Sequence, residues 1–155
     1  MASISSVQSS SSAYDVFLSF HGEANFTGFL FQALRRKGII AFKGHTLLEK
    51  GELLHAIEGS RLFIVVLSKY YASSTRCLRE LAHMFNCIET SPRRLLPIFY
   101  DVEPSDVRRQ TGCYRKVFWE HEGRFLVDKE RMEEVQTWRK ALTRVANLSG
   151  WYIPN

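Results

Sequence analysis

An α/β fold of the flavodoxin-like kind is predicted: a three-layer sandwich with a central parallel sheet of about five strands and helices on both faces. Three observations predict it. Apolar, strand-like runs alternate with segments of helical period along the chain. The run Leu62–Leu67 is apolar throughout, as in strands buried on both faces. The 155 residues suit one domain and leave no room for a second.

The elements follow in order. Asp15–Phe20 reads as a buried strand ending in a loop at His21-Gly22-Glu23. Phe26, Phe29, Leu30, Ala33 and Leu34 then keep helical spacing, and Gly38 supplies the stop. Ile39–Phe42 is a second strand. A polar loop, Lys43 to Gly51, leads to a short helix carrying Leu53, Leu54 and Ile57. After the third strand, the turn Ser73-Ser74-Thr75 caps a helix with Cys77, Leu81, Phe85 and Ile88 along one face. Leu95–Tyr100 is a fourth strand. Its central Pro97 cannot donate to a ladder, so an edge or a bulge is expected there. Short helices are expected at Ser105–Arg109 and Gly112–His121, a longer one at about Glu130–Ala146, and a last short strand at Trp151–Ile153. Residues 1–13, rich in serine, read as a disordered leader without the apolar core of a secretory signal, and 14–155 as the domain.

Composition narrows the function. The formal charge of +5 favours acidic partners, but the basic residues are scattered, as at Arg35-Arg36-Lys37, Arg93-Arg94 and Arg108-Arg109. With no stacked-aromatic pattern beside them, nucleic acid is disfavoured as a partner. The longest apolar runs fall far short of the ~20 residues that span a membrane. Three cysteines without short paired spacing argue against disulfides and zinc, and fit a reducing, intracellular compartment, the cytoplasm or the nucleus. The five histidines show no metal-binding spacing. Glycine-rich phosphate loops and serine-hydrolase elbows are absent.

In this strand order ligands sit outside the carboxyl ends of the strands, where the winding reverses between the first and third. The walls of that crevice are the loops at His21–Glu23 and Lys43–Gly51 and the segment Ser68–Glu80. Glu80 is the carboxylate that falls there.

Four ordered stretches carry a resemblance: Tyr14–Glu23 (YDVFLSFHGE), Ser68–Leu81 (SKYYASSTRCLREL), Pro97–Arg108 (PIFYDVEPSDVR), and Trp138–Leu142 (WRKAL) with Asn147–Trp151 (NLSGW). The chain is similar to plant TIR domains, the Toll/interleukin-1-receptor-like module of disease-resistance proteins. The resemblance implies self-association in innate immune signalling and, in many members, cleavage of NAD⁺ at the nicotinamide–ribose bond into signalling nucleotides. It makes Glu80 the catalytic residue, with Phe20, His21, Gly22, Lys43, Ser68, Tyr71, Arg76 and Cys77 as candidate substrate contacts. It implies no metal and no permanently bound cofactor, NAD⁺ being the substrate. Downstream immune signalling proteins are further expected partners. The alternative is a degenerate TIR domain acting only as an interaction module.

Several residues depart from the family pattern. His21 stands where the family has arginine, and the following Asp-Thr-Arg stretch is missing. Gly44-His45 replace paired acids, and the segment around Lys50-Gly51-Glu52 is shortened. Gly28-Phe29 replace a small-polar pair used across an interface. The chain stops at Asn155, where the family adds a further helix, so that final helix is expected to be missing from the sandwich. Arg76 replaces a tryptophan, four residues before Glu80, where the two side chains can meet and hold the carboxylate away from ribose.

Overall fold

The computed structural model describes residues 14–22, 25–44 and 50–154. The expected leader, and the expectations for Glu23, Ala24 and His45, lie outside the described residues. The elements are β1 (Tyr14–Ser19), α1 (Asn25–Arg36), β2 (Ala41–Lys43), α2 (Lys50–Glu58), β3 (Ser60–Leu67), a 3₁₀ turn (Tyr71–Ser73), α3 (Thr75–Thr90), β4 (Arg94–Tyr100), α4 (Pro104–Arg109), α5 (Cys113–Arg124), α6 (Lys129–Ala146) and β5 (Trp151–Ile153).

The strands form one parallel five-stranded sheet in the order β2-β1-β3-β4-β5. β1 is flanked by β2 and β3, so the winding reverses there, and the crevice between their carboxyl ends is the expected ligand position.

Alternation along the strands divides the core into two faces. Phe17, Phe63, Val65, Leu67, Leu95 and Phe99 point to the side covered by α2, α3, α5 and α6, where Ile57, Leu78, Leu81, Phe118, Trp138 and Leu142 complete the larger core. Val16, Leu18, Phe20, Ile64, Val66 and Ile98 point to the other side, against Phe26, Leu30 and Phe31 of α1. On that second face Leu62, Leu96, Tyr100 and Ile153 are only half-buried, and α1 is the one helix in its cluster among the described residues.

Two local features show the sequence at work. The Ser74 side chain accepts from the Cys77 amide, satisfying one of the free donors at the start of α3. Pro97 sits in an interior strand, paired in register with Val65, and not on the expected edge. β5 makes this possible because its ladder begins only at Ile98. The chain reaches β5 through Gly150, where any Cβ would overlap the Pro97 carbonyl oxygen, so only glycine fits.

Candidate functional site

β1 alternation puts Phe17 and Ser19 on the α3 side of the sheet. Ser19, at the carboxyl end of β1 and fully buried, donates to Glu80 Oε1 at 2.8 Å. Its hydroxyl also meets the Tyr71 hydroxyl at 2.8 Å. Tyr71 donates onward to the Cys77 carbonyl at 3.1 Å, and the Cys77 thiol donates to the Phe20 carbonyl at 3.3 Å. This chain of bonds ties the end of β1 to the first turns of α3. Glu80 lies beneath, only 2% exposed.

The second carboxylate oxygen of Glu80 accepts from Arg76 Nη1 at 2.8 Å, the pair that the four-residue spacing allows. The same nitrogen donates to the Gly44 carbonyl, directly after β2. Gly44 is itself held by its amide, which donates to the Leu18 carbonyl at 2.8 Å. A Cβ on Gly44 would lie 2.9 Å from Glu80 Oε1 and 3.1 Å from Phe17 Cζ. The Gly44 backbone therefore rests on the carboxylate, and Arg76 clasps the two together. Beside them, a cleft of about 290 Å³ between α2 and α3 is lined by Leu53, Leu54, Ile57, Thr75, Arg76, Arg79 and Glu80. It is a mainly apolar slot with the buried carboxylate at one end.

Burial sets the electrostatics. It pushes the Glu80 carboxyl up to about 7, against the opposing pull of Arg76 and of the Ser19 hydroxyl. Burial first, and the Glu80 charge second, push the Cys77 thiol up to about 12, so Cys77 is no thiolate nucleophile at neutral pH. Tyr71 is raised well above the usual phenol range by burial, then by Cys77 and Glu80, and stays a neutral donor.

The expected site residues thus divide. Tyr71, Arg76 and Cys77 gather around Glu80. Phe20 contributes its backbone carbonyl, while its ring belongs to the core under α1. His21 is half-buried at the crevice rim, followed by Gly22 at φ 81°, a left-handed turn that suits glycine. Lys43 points away: its Nζ lies 4.5 Å from the centre of the Phe31 ring on α1. Ser68 follows β3, its carbonyl accepting from the Tyr114 hydroxyl at 2.7 Å and its hydroxyl from the Tyr70 amide at 3.3 Å. Sequence reasoning missed Ser19 and Gly44 as groups touching Glu80. The signal for Ser19 was there: it is the one hydroxyl in an otherwise apolar strand end, in phase with Phe17. Nothing local marks Gly44, because its contact joins segments far apart in the chain.

Comparison with known proteins agrees with this architecture. The family model for the TIR domain matches residues 13–155. TMV resistance protein N of Nicotiana glutinosa is 46% identical over 154 residues, covering 94% of this chain but 13% of that protein. Disease resistance protein RPV1 of Vitis rotundifolia is 42% identical over 171 residues, covering 99% of this chain and 12% of that protein. The chain therefore spans about an eighth of the length of these relatives. Among solved structures, the TIR domains of the activated Roq1 resistosome, which recognises the pathogen effector XopQ, align with a TM-score of 0.80 at 45% identity, over 90% of this chain and 87% of that one. None of the described helices is long and apolar enough to cross a membrane. With the 2-1-3-4-5 sheet, the match along nearly the whole chain and the resistance proteins among its relatives, the chain belongs to the TIR-domain family of plant disease-resistance type.

Proposed function

We propose that the chain cleaves NAD⁺ at the nicotinamide–ribose bond when copies of it associate, with Glu80 as the catalytic carboxylate, in plant immune signalling. The observation that carries this reading is a buried carboxylate beside the carboxyl end of β1, oriented by Ser19 and set at one end of an apolar cleft. The bond breaks through an oxocarbenium-like state, as in glycoside hydrolysis. Nicotinamide departs neutral, so no general acid is required. One anionic carboxylate suffices to hold the ribose hydroxyls and to stabilise the positive charge as it develops. Low polarity around Glu80 strengthens that interaction. The reaction requires the ionised form, so the rate rises with pH through about 7.

Arg76 and the Gly44 backbone must first leave the carboxylate. Association supplies a reason for them to move, since a neighbouring copy can compete for the segment after β2. The Roq1 TIR domains belong to an assembled resistosome; the same kind of self-association is proposed here, in the cytoplasm or nucleus, with no permanent cofactor and with downstream signalling proteins as partners.

The test is nicotinamide release from NAD⁺ by concentrated, associated protein, beside Glu80→Ala. Release that disappears in the variant supports the proposal. Background release in folded, associated protein overturns it and leaves the second reading, a TIR domain that acts only by binding other proteins. That reading has its own support in the Arg76–Glu80 ion pair, which keeps the carboxylate occupied.

A further inference from the structure

One to two turns further along α3 than Glu80, α2 and α3 bring together three side chains of different chemistry. His83 and Cys87 are four residues apart on α3, hence one above the other on one face. Glu58 ends α2, and its carboxylate meets His83 Nε2 at 3.2 Å. The ligand atoms of Glu58, His83 and Cys87 all lie within 4.8 Å of one another. We propose that Glu58, His83 and Cys87 form a three-ligand site for a zinc-like divalent transition metal, with the fourth position open to water.

The geometry suits such an ion. Zinc bonds of ~2.0–2.3 Å in a tetrahedron set ligand atoms about 3.3–3.5 Å apart. The Glu58–His83 separation is already close to this, and the Cys87 sulfur needs a shift of about 1.3 Å at most, within the reach of a side-chain adjustment. The flexible ligand is the exposed one: the Glu58 side chain is 54% exposed, that of His83 24%, and Cys87 is buried. A thiolate, an imidazole and a carboxylate suit zinc or cobalt better than magnesium or calcium, which prefer oxygen alone. The backbone behind Glu58 is fixed. Arg93 donates to the carbonyls of Ile57, Glu58 and Ser60 at 3.4, 3.0 and 2.7 Å, and its guanidinium lies 5.3 Å from the centre of the Phe63 ring. On binding, the Cys87 thiol gives its proton to solvent and the sulfur lone pair forms the metal bond.

The site had no signature in the chain, because Glu58 comes from a different helix and the His-x-x-x-Cys spacing alone is common. Its occupation would pin the end of α2 to the middle of α3, the two helices that wall the cleft beside Glu80.

Cobalt titration of the chain tests this. Tetrahedral cobalt bound to a thiolate gives a sulfur-to-metal charge-transfer absorption together with visible d–d bands, both displaced by zinc. The expected result is one such site per chain, retained in Cys113→Ala, where the exposed cysteine is removed. The charge-transfer band disappears in Cys87→Ala. His83→Ala, at a partly exposed position that endangers folding little, weakens cobalt binding by no less than the roughly 10–100-fold that loss of an outer-shell partner costs. No absorption at saturating cobalt, absorption that survives Cys87→Ala, or absorption lost with Cys113→Ala overturns the proposal.

Discussion

Replacing Arg76 with tryptophan is the perturbation that bears most directly on the closed state of Glu80. Arg76 Nη1 lies 2.8 Å from the carboxylate, whose side chain is 1% exposed, while its own is 35% exposed. An exposed helix pair at this spacing would contribute ~0.3–0.5 kcal/mol. A hydrogen bond to a charged group contributes about 1.5–3 kcal/mol, and the partial exposure of Arg76 argues for the lower end. At about 1.4 kcal/mol per factor of ten, the clasped state outweighs the open one roughly tenfold, so removing it raises kcat/KM for NAD⁺ by about that factor. A second effect opposes the first near neutrality. Arg76 lowers the Glu80 pKa, so its loss moves the carboxyl further above about 7 and leaves less of it ionised. The acid limb of the pH–rate profile therefore shifts upward, and the gain is largest at about pH 8.5 and smaller near pH 7. The assay is nicotinamide release across pH, with Arg76→Ala separating loss of the clasp from the added aromatic wall. A rate unchanged or lower at every pH, in protein equally folded and equally associated, refutes the reasoning.

Two further predictions concern stability. Glu80 has its folded-state pKa raised from 4.5 to about 7, so its favourable contribution to folding is complete below 4.5 and is lost as pH rises through 7. Glu80→Gln, which cannot ionise, is then more stable relative to the parent at about pH 8 than at about pH 4.5, by up to roughly 3 kcal/mol at 1.36 kcal/mol per unit; a pH-independent difference in unfolding free energy contradicts this. Gly44→Ala forces a methyl to within 2.9 Å of Glu80 Oε1 and 3.1 Å of Phe17 Cζ. Urea unfolding should show a loss of about 1–3 kcal/mol, the usual cost of overpacking, and an unchanged midpoint would mean that the segment after β2 moves aside freely.

How much of this was legible in the chain depends on the range of each interaction. Helix and strand periods are local, and so Val16–Phe20, Leu62–Leu67 and the apolar stripe of α3 announce their elements directly. Alternation of strands and helices then leaves few topologies, because crossovers between parallel strands are right-handed and short. Pro97 misled for the opposite reason: its tolerance inside the sheet depends on where β5 begins and on Gly150, far along the chain. The direction of Lys43 was out of reach for the same reason, since its ammonium meets Phe31 of α1, a contact made by tertiary packing.

The sequence by itself determined the α/β order, the position of Glu80 on the helix after the third strand, and the i,i+4 relation that joins it to Arg76. These depend on residues within a turn or a strand of one another. Only the tertiary structure decided that Glu80 is covered. That outcome needs the Gly44 backbone, Ser19 on β1 and α3 to converge from three separated segments. The same convergence expels the water that would otherwise hold the carboxyl near its ordinary pKa.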